Sequence, residues 1–243
     1  MEARSGDDGE MRSWIEGELA GCKFADARLE KRFRTLITQL SQGIGEGIPM
    51  ACQDWGGTKA AYRFFSNDRL SEAEILAGHF QSTRTRFQKT PGTILVLHDT
   101  TELSFKRENK DTIGITGLSY CGKKKDNRAH LHAVCGMLLH SSLVVTLEGL
   151  PLGIAAVKCW TRKKFKGCNA LKKRVNPTRI AIEEKESMRW IENLRQSSAL
   201  LNEPDRCIHI GDRESDIYEL FCAAQDCGTP FLVRTCTDRL ADD

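Results

Sequence analysis

The spacing of apolar residues changes once along this chain, at Pro91–Gly92, and that change limits the architectures open to it. Upstream, Leu29, Phe33, Leu36, Ile37 and Leu40 fall on one face of a helix between Asp26 and Gln42. Arg28, Lys31, Arg32 and Arg34 lie on its flanks and far side, and the glycine-rich stretch Gly43–Gly47 ends it. A second helix is expected over 58–66. Ser71 and Glu74 stand in the capping-box relation, which predicts a third helix running on to Gln88. Downstream, TILVLH at 93–98 is a compact β-branched and apolar run and predicts a buried strand. Further strands are expected at 102–106, 129–140 and 142–159, the last two as a meander with its turn near Gly149–Gly153. A helix over 178–197, a buried strand over 207–211 (CIHIG), a helix over 214–226 and a strand over 230–235 complete the pattern. Strands first, then helix and strand in alternation, predict a mixed α/β sheet. The expected organisation is a disordered tail over 1–10, a helical domain over 11–90 and an α/β domain over 91–243.

Composition excludes several classes. The chain is 40% hydrophobic and 28% charged, as globular domains are. No apolar run approaches the roughly 18 residues that a membrane helix needs. The N-terminus, MEARSGDDGE, is acidic and polar, without an apolar signal core. A cytoplasmic location follows as an expectation. The ten cysteines are scattered and form no CxxC pair, which argues against both a disulfide framework and a structural zinc site. Cys207, Cys222 and Cys236 sit in apolar or amphipathic segments and read as small reduced hydrophobes.

A net charge of +3 says little, but its distribution says more. From Lys158 to Arg179 there are nine Lys or Arg and no Asp or Glu. Such a run is either a solvated loop or a polyanion contact, since clustered cations displace counterions from a phosphate backbone. Lys163, Lys164, Lys172, Lys173 and Arg174 are the phosphate contacts it offers. They would fix register on a duplex without reading its sequence.

Two carboxylates stand where α/β sheets usually place ligands. Asp99 ends the run ILVLHD, and Asp212 follows CIHIG directly. Carboxylates from adjacent strands can share a divalent cation. Mg²⁺ prefers oxygen ligands and keeps several waters, and paired metals can stabilise both the attacking and the leaving oxygen of a phosphodiester. Asp212 can equally serve as the cap of the helix expected near Glu214.

The words around these residues are more specific. HDTTELSF at 98–105 and GDRESDIYEL at 211–220 resemble signatures of the insertion-sequence-four group of DDE transposases, the cut-and-paste group of the transposon-five type. FADARLEKR at 24–32 and AYRFFSN at 61–67 resemble the group's N-terminal DNA-binding region. EEKESMRW at 183–190 resembles the helix before the second Asp, and FLVRTCTDR at 231–239 the strand after it. The resemblance runs in order over 14–239. It implies a ribonuclease-H-like mixed sheet preceded by an all-helical DNA-binding domain. It also implies a metal-binding Asp-Asp-Glu triad whose first two members are Asp99 and Asp212. The implied cofactor is Mg²⁺, with Mn²⁺ as a substitute. The implied partners are double-stranded DNA, as transposon inverted-repeat ends and target, and a second copy of the chain on DNA. The implied setting is the bacterial nucleoid. Water would attack at the transposon end, and the freed 3′-hydroxyl would then attack target DNA, the protein's part being positioning and charge stabilisation.

The third carboxylate of that triad lies, in the group, on a later helix with a Tyr-Arg-Glu-Lys pattern, and it maps onto no residue here. The chain therefore reads as C-terminally truncated, with little strand-transfer activity expected of it alone. A catalytically dead DNA-binding fragment that inhibits a full-length relative is the alternative. Glu214 reads either as a group supporting the metal ligands or as a carboxylate facing the first turn of a helix. Arg28, Lys31 and Arg32 are the expected DNA contacts on the first helix. Arg63 is expected to reach phosphate, while Tyr62 either faces DNA or joins the core. Arg234 either faces DNA or pairs with Asp216 or Glu219. His130 and His132 share a strand face, as a polar pair or a metal site. Trp160 reads as a loop anchor or a base-stacking ring, and Gly114–Gly117 as a turn.

Overall fold

A computed structural model describes residues 14–106, 113–123, 129–162, 180–236 and 238. The expected tail over 1–10 lies outside them. So do Lys163, Lys164, Lys172, Lys173 and Arg174, together with most of the basic run that carries them. The chain forms two compact units that part between Thr90 and Pro91.

The first unit is helical. Its elements are α1 (14–19), α2 (Ala27–Gln42), α3 (Ile48–Cys52), α4 (Trp55–Phe65) and α5 (Glu72–Lys89). Local chemistry starts the longer helices. The Asp26 carboxylate accepts from Arg28 N at 2.8 Å and caps α2, and Asp54 accepts from Gly57 N at 2.7 Å and caps α4. Ser71 and Glu74 satisfy each other's backbone N–H groups at the start of α5, as the capping-box pattern predicts. The short α3 was not expected from the sequence.

Apolar faces close this unit. Phe33 of α2 and Phe64 of α4 stack with centroids 5.5 Å apart, and Phe24 meets Phe33 edge-on at 5.3 Å. Ile15, Leu19, Leu36, Cys52 and Ala61 fill the same core. One buried carboxylate ties α1 to α5. Glu18 accepts from Arg86 at 2.7 Å and pairs with His79 Nδ1 at 2.6 Å. Burial raises the Glu18 pKa, but those two partners outweigh it and hold the carboxyl below its usual range. The helices approach closely at Gly78, where a Cβ would lie 2.0 Å from the Glu18 carbonyl oxygen.

The second unit is a mixed sheet with helices. Its strands are β1 (Ile94–Ser104), β2 (Ile115–Lys123), β3 (Ala129–Thr146), β4 (Pro151–Trp160), β5 (Cys207–Gly211) and β6 (Phe231–Val233). Its helices are α6 (Met188–Leu201) and α7 (Tyr218–Asp226). The long β3 pairs antiparallel with β1 on one side. On its other side it pairs with β2 along its first half and with β4 along its second. β5 adds to β1 in parallel, and β6 adds to β5 in parallel. The resulting order is β4-β3-β1-β5-β6, with β2 extending the β4 side. α6 packs on β4, β3 and β1, and α7 packs on α6. Trp190, Ile191 and Leu194 of α6 meet Leu220, Ala223 and Ala224 of α7 in one cluster.

Several expectations need correction. β1 does not stop after His98 but runs through Asp99 to Ser104, because every one of those residues is paired to β3. Residues 129–146 are likewise one strand. β2 was unforeseen: Gly114 adopts a positive φ of 96°, but strand begins at the next residue, so Gly114–Gly117 is not a turn throughout. α6 starts at Met188, preceded by a 3₁₀ turn at Ile182–Glu184, rather than at 178. The helix expected from 214 is a 3₁₀ turn at Arg213–Ser215 followed by α7. Cys207, Cys222 and Cys236 are free thiols, and burial pushes the Cys207 thiol up to about 11. No described helix is long and apolar enough to cross a membrane.

Candidate active-site cleft and DNA-binding face

The parallel pairing of β1 and β5 decides where the two predicted carboxylates stand. Paired positions run from Ile94 with Cys207 to Leu97 with Ile210. Asp99 lies two residues beyond the last of these pairs on β1, and Asp212 is the residue that follows β5. Both residues line one cleft of about 600 Å³, together with Thr100, Glu102, Trp160, Arg162, Glu186, Arg189 and Glu214.

Each aspartate is held by one oxygen. Asp99 Oδ1 accepts from Thr100 N at 2.8 Å, and Asp212 Oδ1 accepts from Glu214 N at 2.9 Å. Asp212 thus caps the 3₁₀ turn Arg213–Ser215, which is the capping role the sequence left open, and it does so while lining the cleft. Ser215 reinforces the turn by donating its hydroxyl to the Asp212 carbonyl at 2.6 Å. Gly211 permits this fold-back, since a Cβ there would lie 2.4 Å from Ser215 Oγ.

Five carboxylates and two guanidiniums line the cleft. Arg189 pairs with Glu214 and Arg162 with Glu186. Asp99, Glu102 and Asp212 have no ion pair among the described residues. Thr116 donates its hydroxyl to Glu102 at 2.5 Å. The balance therefore favours a cation. Among the described residues, however, no three Asp, Glu, His or Cys side chains gather closely enough to hold a metal ion. The residues present fit a cation bound by two carboxylate oxygens, with other ligands supplied from elsewhere.

No spacing or motif signal pointed to the role of Arg189. Its side chain is only 9% exposed, against 64% for Glu214. The guanidinium donates to Thr100 Oγ1 at 3.1 Å and to the Glu186 carbonyl at 2.9 Å, and it lies 5.6 Å and 5.5 Å from the ring centroids of Trp160 and Trp190. Trp160 is therefore part of the cleft wall. Burial lowers the pKa of Arg189, and the Glu214 and Glu186 charges oppose that shift.

A buried polar chain underlies the cleft. His98 Nε2 lies 2.7 Å from His209 Nδ1, His98 Nδ1 lies 2.8 Å from Ser142 Oγ, and His209 Nε2 lies 3.3 Å from Ser198 Oγ. Asn193 of α6 donates to Ser142 Oγ at 3.1 Å. Given that donation, one assignment leaves every proton with an acceptor: Ser142 donates to His98, His98 to His209, and His209 to Ser198. Both rings are then neutral. Burial, and for His98 the two neighbouring histidines, holds the pKa of His98 well below normal, and burial lowers His209 to about 4. His140 pairs with Thr100 Oγ1 at 2.9 Å and crosses Trp190 edge to face. Burial first, then the Arg189 charge, lowers His140 to about 3.

The remaining predicted residues fall out as follows. Arg28 is highly exposed and pairs with Asp26 at 3.0 Å, and Lys31 is exposed. Arg32 is half-buried and donates to the Gly57 carbonyl at 2.6 Å, so it braces α2 against α4. Tyr62 and Arg63 are exposed on α4, which takes Tyr62 out of the core. Arg234 is exposed, and its N–H donates to the Gly211 carbonyl at 3.2 Å. The His132 side chain is exposed, and that of His130 lies outside what is described.

Residues 11–70 of the 243 match the family model described as transposase DNA-binding. The matched stretch lies within the first unit and does not reach the cleft. No curated protein matches the chain. The similarity supports DNA as a partner of the first unit and a transposase role for the chain.

Proposed function

We propose that the chain binds transposon ends and supplies two of the three metal-binding carboxylates of a DDE transposase of the insertion-sequence-four group, acting by Mg²⁺-dependent phosphodiester cleavage and strand transfer. The observation that carries this reading is that Asp99 and Asp212, each two residues past the last β1–β5 pair, line one cleft. The strand order supports a ribonuclease-H-like core. An antiparallel β1-β3-β4 meander is followed by a helix, a parallel strand on the other side of β1, a second helix and a second parallel strand. Arg28, Lys31, Arg63 and Arg234 are exposed cations suited to phosphate, with Arg32 more a brace than a contact.

A divalent cation held by Asp99 and Asp212 would lower the charge barrier at the attacking and leaving oxygens of a phosphodiester. The chain's own residues set the stage. The backbone N–H groups of Thr100 and Glu214 fix one oxygen of each aspartate and leave the other for the ion. Arg189 holds Glu214 against the cleft wall and adds positive charge beside the two aspartates. That no third carboxylate gathers with Asp99 and Asp212 among the described residues favours a second reading, end binding without cleavage.

The test combines Mn²⁺ titration with gel shifts on inverted-repeat DNA. Mn²⁺ binding that falls at least about tenfold in Asp99→Asn and in Asp212→Asn is the expected result. End-DNA affinity is expected to fall steeply with salt. Mn²⁺ affinity unchanged in both variants would overturn the metal reading, and efficient excision by the purified chain would refute the need for a further carboxylate.

A further inference from the structure

The outer face of α4 combines features that the core does not need. Thr58, Ala61 and Phe64 are its buried stripe. Beside that stripe Trp55, Lys59, Tyr62, Arg63 and Ser66, with Thr58 at the border, line an open, mainly apolar groove of about 430 Å³. Trp55 is 78% exposed and Tyr62 51%. They stand seven residues apart, so about 10 Å separates them along the helix axis. Lys59 follows Trp55 by about one turn and Arg63 follows Lys59 by about one more, and α4 contains no Asp or Glu. Single exposed aromatics are ordinary. Two on one face, interleaved with two cations and no anion, match the stacking-plus-phosphate pattern of nucleic-acid binders.

We propose that this face binds unpaired DNA bases: Trp55 and Tyr62 stack on base faces while Lys59 and Arg63 hold the flanking phosphates. The proposal rests on the reading of the first unit as a DNA binder and adds the form of DNA that α4 takes. The chemistry of the groove decides between duplex and single strand. In a duplex the base faces are already stacked on one another, and only polar edges are open to a protein. The surface of the groove is mainly apolar and walled by rings, with Lys59 and Arg63 as its charged groups. An unpaired base offers its whole face, and its phosphates meet the two cations. A frayed or processed DNA end is the ligand of this chemistry.

The test measures binding of the full chain to a labelled thymidine 20-mer and to a blunt duplex of equal length by fluorescence anisotropy. Trp55→Ala is expected to weaken single-strand binding about tenfold or more, with duplex affinity within about twofold, and Tyr62→Ala to weaken single-strand binding to a similar degree. Trp55→Phe keeps a ring and should restore most of the affinity. Lys59→Ala and Arg63→Ala should each reduce the salt slope on the single strand by about one. All four positions are exposed, and circular dichroism checks that the variants stay folded. Equal losses on both DNAs would make α4 a general duplex contact and overturn the proposal. So would unchanged single-strand binding, or concentration-dependent self-association lost in Trp55→Ala, which would mark an interface between copies. If the parent chain binds neither DNA, the DNA-binding reading of the first unit fails as well.

Discussion

His98 Nε2 sits 2.7 Å from His209 Nδ1, inside the core, on the two strands whose next exposed positions are Asp99 and Asp212. The contact couples β1 to β5 by side chains where the backbone pairing is about to end. Replacing one ring leaves one nitrogen of the other, inside the core, without its partner, and removes one bond from a serine hydroxyl. His209→Leu is therefore expected to cost about 1–3 kcal/mol in urea unfolding of the second unit. His98→Leu/His209→Leu should cost less than the sum of the single variants, since both ends of the bond are then apolar. Simple additivity would show that the pair contributes no coupling.

The same rings set an acid limit. His209 and His140 have folded pKa values lowered to about 4 and about 3, and His98 is also lowered. Above the unfolded value of about 6.5 all three are neutral in both states and cost nothing. As pH falls below that value the unfolded chain takes up protons that the folded one refuses, so stability drops. The drop levels off only near the folded values. His209 alone accounts for about 3 kcal/mol of loss between pH 6.5 and 4. Urea midpoints across that range should fall for the parent and fall less for His209→Leu. Parallel slopes would remove His209 from the account.

Much of this was legible because it is local. Asp26, Ser71 and Glu74 announce helix starts, and CIHIG followed by Asp212 announces a buried strand with a carboxylate at its end. A strand at 102–106 was expected, but its continuity with 93–98 was not legible, because Thr101 to Ser104 are exposed and show no burial alternation; pairing to β3 runs unbroken through Asp99 and Thr100. The histidine chain joins positions 44 and 111 residues apart, which no spacing rule brings together. Arg189 was passed over because an arginine on a helix ordinarily reads as solvated. Only the fold places it between two tryptophans.

Two glycines carry steric demands that a methyl group tests. At Gly211 a Cβ would meet Ser215 Oγ at 2.4 Å and Trp190 at 3.1 Å, so Gly211→Ala must shift the turn that fixes Asp212. At Gly78 a Cβ would meet the Glu18 carbonyl at 2.0 Å. Each substitution should destabilise its own unit by about 1–3 kcal/mol. Under the proposed function, Gly211→Ala should also weaken Mn²⁺ binding and leave DNA binding by the first unit intact, whereas Gly78→Ala should do the reverse. Loss of both properties in either variant would contradict this division of labour.

The Arg189–Glu214 pair is asymmetric, and the asymmetry predicts which partner matters. Glu214 is mostly exposed, so without Arg189 its carboxylate simply hydrates. Arg189 is buried, and without Glu214 its charge keeps two neutral acceptors, Thr100 Oγ1 and the Glu186 carbonyl, and the more distant Glu186 carboxylate. Exposed ion pairs are worth well under about 1 kcal/mol, whereas an under-compensated buried charge costs more. Glu214→Gln is therefore expected to destabilise the second unit by about 1 kcal/mol. Adding Arg189→Met to that variant should recover part of the loss, because methionine fills the slot between Trp160 and Trp190 without a charge to satisfy. The double-mutant cycle in thermal or urea unfolding checks it. If Arg189→Met destabilises the Glu214→Gln background further, the arginine is retained for its packing and its bonds to Thr100 and Glu186 rather than for the carboxylate it holds.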